Sequence, residues 1–581
     1  MINVGNELKE YRINMGFTQG DLADLMEVSK STIVRWESNH KPSNLGIQKL
    51  RELKIIGEDR LREVLIQKKG SKELGLSIPN RKLKIPSGEK SIFYAPYVVN
   101  GPEDQKTFHD FLIDLQEHEN LMISEEIYLN RLSLVKSVED IETAQSLLEK
   151  SSKSAKSWNS NYGTHGWHRY IGRFPPHLVR AILNHFQATE NDLVLDPFAG
   201  SGTTLVECRL LGIPAIGIEI SPLSALITRT KAQFRETSDE ILNIIAHLEV
   251  FYVERWTTFI SDRDINEFSY DEIINREGNT VLDFTNYEKW FSKQALLGVS
   301  IVVEFAKTIE GYLKDVLLVA LSSKMRSIGN VDVDVVRAEY SKVPRENVDV
   351  LSLVKSQLIK MANSIKRSYQ THATTIASPN EIKLIENDVL KTNLEKESIS
   401  YIITSPPYGV ESISYLRTHL LSFKTLESIL NVDPYEIGES VIGSEFLPKE
   451  VPTVKSFKST NISATFNSFF EAIYDETETK KTKTRTLMMM QFFDDMYDLA
   501  EKFKLWLKCG GKIAFVIGNK KIGDHIIPTH KIIEEIFKYH GLKLYNITRH
   551  KLKTNNSNSQ VPWQDRIIEE EYIMFFEKEL Q

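Results

Sequence analysis

Two cysteines, Cys208 and Cys509, are all that 581 residues contain. They cannot build a disulfide framework or a four-ligand zinc site, and neither has clustered His and Cys neighbours. Both are expected to be core thiols, and no metal is expected. No segment approaches the roughly 20 uninterrupted apolar residues of a membrane span. The opening Met-Ile-Asn-Val-Gly-Asn-Glu has no signal-peptide pattern, so a cytoplasmic chain with no membrane partner is expected. A surplus of basic charge is also missing, the formal net charge being −7. Global charge does not exclude nucleic acid, because a local basic stripe can bind on an acidic body. Candidate stripes are Lys480-Lys481-Thr-Lys483-Thr-Arg485, Lys520-Lys521 and Arg549-His550-Lys551-Leu-Lys553, although such runs are more often solvated faces.

What is present is the 41% apolar and 26% charged composition of a globular protein. The length calls for about three or four domains of about 150 residues each. The chain is organised around Leu-Val-Leu-Asp-Pro-Phe-Ala-Gly-Ser-Gly-Thr-Thr at 193–204 and Thr-Ser-Pro-Pro-Tyr at 404–408. The first reads as a buried strand ending in Asp196, then a glycine turn, then a helix over 203–211 that stops at Gly212. Gly200 and Gly202 lack the Cβ atoms that would hold a ligand off the backbone, so a small cofactor can lie on the turn and face the helix N-terminus. No Gly-Lys-Ser or Gly-Lys-Thr follows, which removes a phosphate loop. A second strand, 213–219, ends in Glu219, and a candidate third ends near Asp388. An acidic residue about 20 positions past the glycine turn is placed for ribose hydroxyls. Three carboxylates at strand tips would be desolvated without a partner, which calls for a ligand rich in donors.

Asp196-Pro-Phe-Ala-Gly-Ser-Gly-Thr-Thr and Ser405-Pro-Pro-Tyr resemble the cofactor and catalytic motifs of the S-adenosyl-L-methionine-dependent DNA methyltransferases that modify exocyclic amines of bases. The resemblance covers roughly 160–230 and 380–580. It implies a Rossmann-like α/β sheet and a cofactor site built from Phe174, Asp196, Phe198, Gly200, Ser201, Gly202, Thr203, Glu219 and Asp388. Asp388 would accept the adenine amino group, and the element at 167–178 would flank the methionine end; an ordinary strand-turn-helix would use the same residues there. The implied catalytic residues are Ser405, Pro406, Pro407 and Tyr408.

An exocyclic amine is a weak nucleophile because its lone pair is delocalised into the ring. Acceptors on its hydrogens, Ser405 Oγ and the Pro406 carbonyl, restore that lone pair, and two prolines stiffen the turn. Tyr408 offers a face on which a flipped base can stack. Methylation of a cytosine ring carbon needs a cysteine nucleophile, and neither cysteine stands after a proline in a comparable loop. Serine at the head of the tetrad favours cytosine N4 over the alternative, adenine N6. A reading of another class is a transcriptional regulator whose methyltransferase-like domain only senses the cofactor; two intact motifs speak against it.

Residues 5–54 read as a compact helical unit. Thr18 and Ser29 cap two short helices whose Leu22, Ala23, Leu25, Met26, Ile33 and Trp36 form an apolar face. That is a helix-turn-helix, and its spacing is similar to the phage-repressor class. By that resemblance Gln19, Lys30, Ser31 and Arg35 reach base edges or phosphates; a small protein-interaction domain is the alternative. The expected domains are 1–70 (helix-turn-helix), 71–155 (a connector rich in Lys, Gly, Ser and Pro, and a helical bridge), 156–230 with 381–581 (methyltransferase), and 231–380. The last is far longer than the roughly 2 to 6 residue loops of α/β units, so it is an inserted, largely helical domain. Helices are expected there at 287–296, 302–321 and 348–369. The excursion 420–487 shows no clear periodicity, and one or both excursions should touch DNA. A closing unit is expected as Cys509-Gly-Gly-Lys512 leading into a strand over 513–519, then a helix over 529–539 and a last strand over 571–576. Double-stranded DNA is the expected partner, with a cognate restriction endonuclease encoded nearby. Monomer or homodimer stays open, although repressor-type domains usually dimerise on palindromes.

Overall fold

The computed structural model describes residues 8–9, 12, 19–26, 28 and 30–38. From 160 to 579 it describes all but 171, 280, 282–285, 333–337, 373–374, 410–417, 431–440, 445–456, 477–479, 523–524 and 552–569. The expected connector (67–97), helical bridge (108–150) and polar loop (553–560) lie outside these residues. The chain divides into two units.

In the first unit, α1 (Gln19–Met26) and α2 (Lys30–Glu37) follow the expected spacing. Leu22, Ala23, Met26, Ile33 and Trp36 are buried between them.

The second unit is built on a seven-stranded sheet of order β3-β2-β1-β4-β5-β9-β8. Its strands are β1 (Val194–Asp196), β2 (Ala215–Glu219), β3 (Ile382–Glu386), β4 (Ile399–Thr404), β5 (Leu507–Gly518), β8 (Leu542–Lys551) and β9 (Glu570–Lys578). A separate hairpin is formed by β6 (Lys520–Ile522) and β7 (His525–Ile527). The five strands from β3 to β5 are parallel, and β9 runs antiparallel to both β5 and β8. This is the expected Rossmann-like sheet. Its strand order reverses at β1 and β4, where the tips bearing Asp196 and Thr404 lie side by side. Ligands of open α/β sheets bind at such a switch point.

Helices α3 (Pro176–Phe186), α4 (Thr203–Leu211) and α5 (Pro222–Ala232) pack along the first half of the sheet. Pro176 opens α3, where its missing N–H is harmless, and Gly212, at φ 77°, closes α4. The insertion is helical: α6 (Ser238–Ile260), α7 (Lys293–Ala306), α8 (Gly311–Ile328) and α9 (Val350–Thr371). The run expected as one helix over 302–321 is two, because the chain turns after Ala306 and restarts at Gly311 with φ 66°.

The excursion with no legible period contains α10 (Leu420–Leu430), α11 (Ala464–Glu476) and α12 (Lys480–Trp506). Met489, Phe492, Phe493, Met496, Leu499, Ala500, Phe503 and Trp506 of α12 are buried at helical spacing, and this stripe lies past residue 487, the expected end of the excursion. A last helix, α13 (Thr529–Tyr539), buries Ile532, Ile533, Ile536 and Phe537 in the same core as β5 and β9. The strand expected over 513–519 begins earlier, at Leu507, and takes in Cys509 to Lys512, with Gly510 at φ 70°. Cys208 is buried as expected, but Cys509 is exposed near the start of that strand.

Candidate active site

The glycine turn between β1 and α4 is held from behind. Gly200 and Gly202 adopt φ 54° and 78°. A Cβ on Gly202 would stand 2.9 Å from Thr228 Cγ2, so only glycine lets the turn close on α5. From α5, Thr228 Oγ1 donates to the Gly200 carbonyl at 2.8 Å, and Lys231 Nζ donates to the Ser201 carbonyl at 2.6 Å. Lys231 is wholly buried, and burial holds its pKa well below the usual lysine range. On α4, Glu207 is also wholly buried; it accepts from Arg180 at 2.5 Å and Tyr162 at 2.6 Å and lies 2.7 Å from His165. Burial pushes the Glu207 carboxyl up, but the Arg180 charge and these bonds prevail and hold it at about 2.

Asp196 faces inward. Its Oδ1 accepts from Phe198 N at 3.1 Å and from Thr404 Oγ1 at 2.8 Å, so one carboxylate oxygen joins the glycine turn to the residue before Ser405. Burial raises Asp196 to about 6 against those bonds. Glu219 accepts from Gly200 N and Ser221 N, each at 2.8 Å, and burial raises it to about 7. Asp388 caps its own turn through Leu390 N at 2.9 Å and pairs with Lys391 at 3.2 Å. Phe174 is buried and Phe198 partly buried.

The tetrad continues β4. Pro406 is buried, while Ser405, Pro407 and Tyr408 are partly so. Ser405 Oγ donates to Tyr408 Oη at 3.3 Å, and Tyr408 Oη donates to Glu571 Oε1 of β9 at 2.8 Å. With its proton directed at Tyr408, Ser405 presents lone pairs outward.

The structure therefore brings Asp196, Gly200, Ser201, Glu219, Thr404 and Ser405 to adjoining strand tips. Thr228, Lys231 and Glu571 were not anticipated, and no spacing in the sequence marks them; Thr404 stood in the 404–408 stretch but was given no role. The turn fits a small polar ligand, because Ser201 Oγ and Thr203 Oγ1 are buried without a hydrogen-bond partner.

In the N-terminal unit, Lys30, Ser31 and Arg35 are exposed on α2. Gln19 is turned inward: its Nε2 donates to Glu37 Oε2 at 2.8 Å, beside an Arg12 Nε bond to Oε1 at 2.7 Å. Burial raises the Glu37 carboxyl, but the bonds from Arg12 and Gln19 outweigh it and hold it below the usual range.

Residues 82–228 match the family description "DNA methylase", and residues 8–53 match "Helix-turn-helix". The chain is 25% identical to the Type II methyltransferase M.BsoBI of Geobacillus stearothermophilus, over 72% of this chain and 86% of that protein. It is 24% identical to M.MvaI of Kocuria varians, over 67% of this chain and 85% of that protein. To M.MjaII of Methanocaldococcus jannaschii it is 26% identical, over 48% of this chain and 65% of that protein. The matched residues include the glycine turn: the chain carries a stretch that matches the DNA methylases and, ahead of it, one that matches a helix-turn-helix, and the relatives it resembles are Type II methyltransferases.

Proposed function

We propose that the chain transfers a methyl group from S-adenosyl-L-methionine to the exocyclic N4 amine of cytosine in duplex DNA, as the modification enzyme of a restriction-modification system. The observation that carries this reading is the Asp196–Thr404 hydrogen bond, which couples the glycine turn to the catalytic tetrad. The cofactor would be held by the backbone of Gly200 and Gly202, the hydroxyls of Ser201 and Thr203, the carboxylates of Glu219 and Asp388, and the rings of Phe174 and Phe198. Bound there, it supplies an electrophilic methyl group on a sulfonium.

The chain's own residues do the rest. Ser405 Oγ and the Pro406 carbonyl accept the hydrogens of the target amine and bring its lone pair out of conjugation. The relay from Ser405 through Tyr408 to Glu571 keeps the serine an acceptor, because its one proton is already committed. No covalent intermediate is needed. The choice of N4 rests on serine at the head of the tetrad. Residues 156–230 and 381–581 form the catalytic domain in this reading, and 231–380 is an insertion that contributes to DNA contact. Residues 1–70 read an operator and control the gene's own expression.

DNA methylated by the purified protein, digested to nucleosides and analysed by mass spectrometry, tests the assignment. N4-methylcytosine is expected. N6-methyladenine would move the target to adenine, and no methylated nucleoside would leave the sensor reading.

A further inference from the structure

A cavity of about 150 Å³ opens between residues 168–170, α8 and the residues that lead into α10. His168, Arg169, Ser322, Arg326, His419 and Ser422 line it, and none of the described lining residues is acidic. Its floor is rigid and neutral. His168 Nδ1 lies 3.0 Å from the Arg169 carbonyl, and its Nε2 lies 2.9 Å from Ser322 Oγ. Ser322 and Ser422 share a further 2.9 Å hydrogen bond.

The rim is cationic. Arg169 and Arg326 both line it; burial lowers the pKa of Arg326, and the charges of Arg169 and then Arg345 lower it further. Asp332 is the acid near Arg326, and its backbone carbonyl accepts from Arg326 Nη2 at 2.7 Å. Like charges gathered over a concave, neutral floor raise the energy of the empty site and favour an anion.

The cavity lies one aromatic ring from the glycine turn. Tyr170 stacks on His419 with centroids 5.2 Å apart, and its Cε1 stands 3.8 Å from where a Cβ on Gly200 would be. We infer that this cavity seats a backbone phosphate of the DNA being methylated, so that α8 of the insertion takes part in holding the target strand. The inference rests on the DNA methyltransferase reading. A polyanion suits the site better than the single carboxylate of the cofactor, because the cations continue from the cavity to the exposed Arg169.

The test uses the full chain and a duplex bearing the sequence that the wild-type protein methylates. Affinity is measured by fluorescence anisotropy across a salt series for Arg169→Gln, Arg326→Gln and Arg326→Lys. A lost phosphate contact lowers the slope of log affinity against log salt by about 0.9. Both Gln variants should show that loss, Arg326→Lys should keep the wild-type slope, and cofactor affinity by calorimetry should be unchanged in all three. Gln variants with the wild-type slope overturn the inference. Weakened cofactor binding with an intact slope also overturns it and gives the cavity to the cofactor's carboxylate. If the wild type methylates nothing, the underlying reading fails on its own, and a mixed-sequence duplex still decides the phosphate seat by the same slopes.

Discussion

Tyr408 donates its phenolic proton to Glu571 Oε1 across 2.8 Å, and in doing so the final strand of the sheet sets the direction of the Ser405 hydroxyl. Removing the carboxylate in Glu571→Ala lets the tyrosine proton turn back on the serine, which then meets the substrate amine as a donor. Single-turnover methylation should slow by roughly 10- to 100-fold, the equivalent of losing a hydrogen bond to a charged group of about 1.5–3 kcal/mol. Cofactor affinity should not change. Glu571→Gln should recover most of the rate, since an amide oxygen also accepts. A Glu571→Ala variant with the wild-type rate removes the relay.

In the proposed site, Glu219 is expected to tie cofactor affinity to pH. Burial raises its folded pKa to about 7, against an ordinary value of 4.5. Between those values the unfolded carboxyl is ionised while the folded one still holds its proton. Its contribution to stability is therefore present at low pH and lost as pH rises through that window. Hydroxyls of a ligand that donate to Glu219 favour the charged form, so binding releases a proton below about pH 7. The dissociation constant should fall with rising pH, by at most about tenfold per unit, and level off above 7. Calorimetry in buffers of different ionisation enthalpy reads the released proton. The same profile in Glu219→Gln as in the wild type would remove this residue from the site.

Thr404→Val breaks the bond that couples the two motifs while keeping the shape of the side chain. Asp196 Oδ1 then keeps the Phe198 N–H and loses the hydroxyl. Stability should drop by roughly 1–3 kcal/mol, the cost of removing one partner from a buried group. The methylation rate should fall more than cofactor affinity. Denaturant melts and paired kinetic and binding measurements check both, and equal losses in rate and affinity would mean that Thr404 serves the cofactor side alone.

The strand-turn-helix from 193 to 212 was legible because each signal agreed: an apolar strand closed by Asp196, glycines where the backbone needs positive φ, and Gly212 at the stop. Gln19 was given to DNA by its place in the pattern, and a pattern cannot show that its amide also bonds Glu37. Helix α12 was hidden for a different reason. Its buried stripe, Met489, Phe493, Met496, Ala500 and Phe503, runs past residue 487, beyond the stretch that was read for a period. Lys231, Thr404 and Glu571 act through partners on other elements, and nothing local distinguishes them from ordinary core or strand residues.

Deleting residues 1–70 should leave the methylated sequence unchanged while lowering the rate at low enzyme concentration through lost tethering. The matched helix-turn-helix, with its exposed Lys30, Ser31 and Arg35, motivates the experiment. Sequencing of the sites methylated by the truncated enzyme reads the outcome, and a changed recognition sequence would assign specificity to α2.

The flush pairing of β2 with β3, Ala215 against Ile382 through Glu219 against Glu386, has a consequence for the order of assembly. During synthesis β1 and β2 emerge well before either β3 or β4, the strands that flank them in the finished sheet. Until the insertion has been made, the pair keeps two open edges that invite pairing with another chain. Collapse of α6 to α9 into their own core draws Glu219 and Ile382 together and shortens the loop that β3 must close. Lesions inside that helical core are thus expected to surface as aggregation of newly made chains, even where the finished enzyme would have tolerated them.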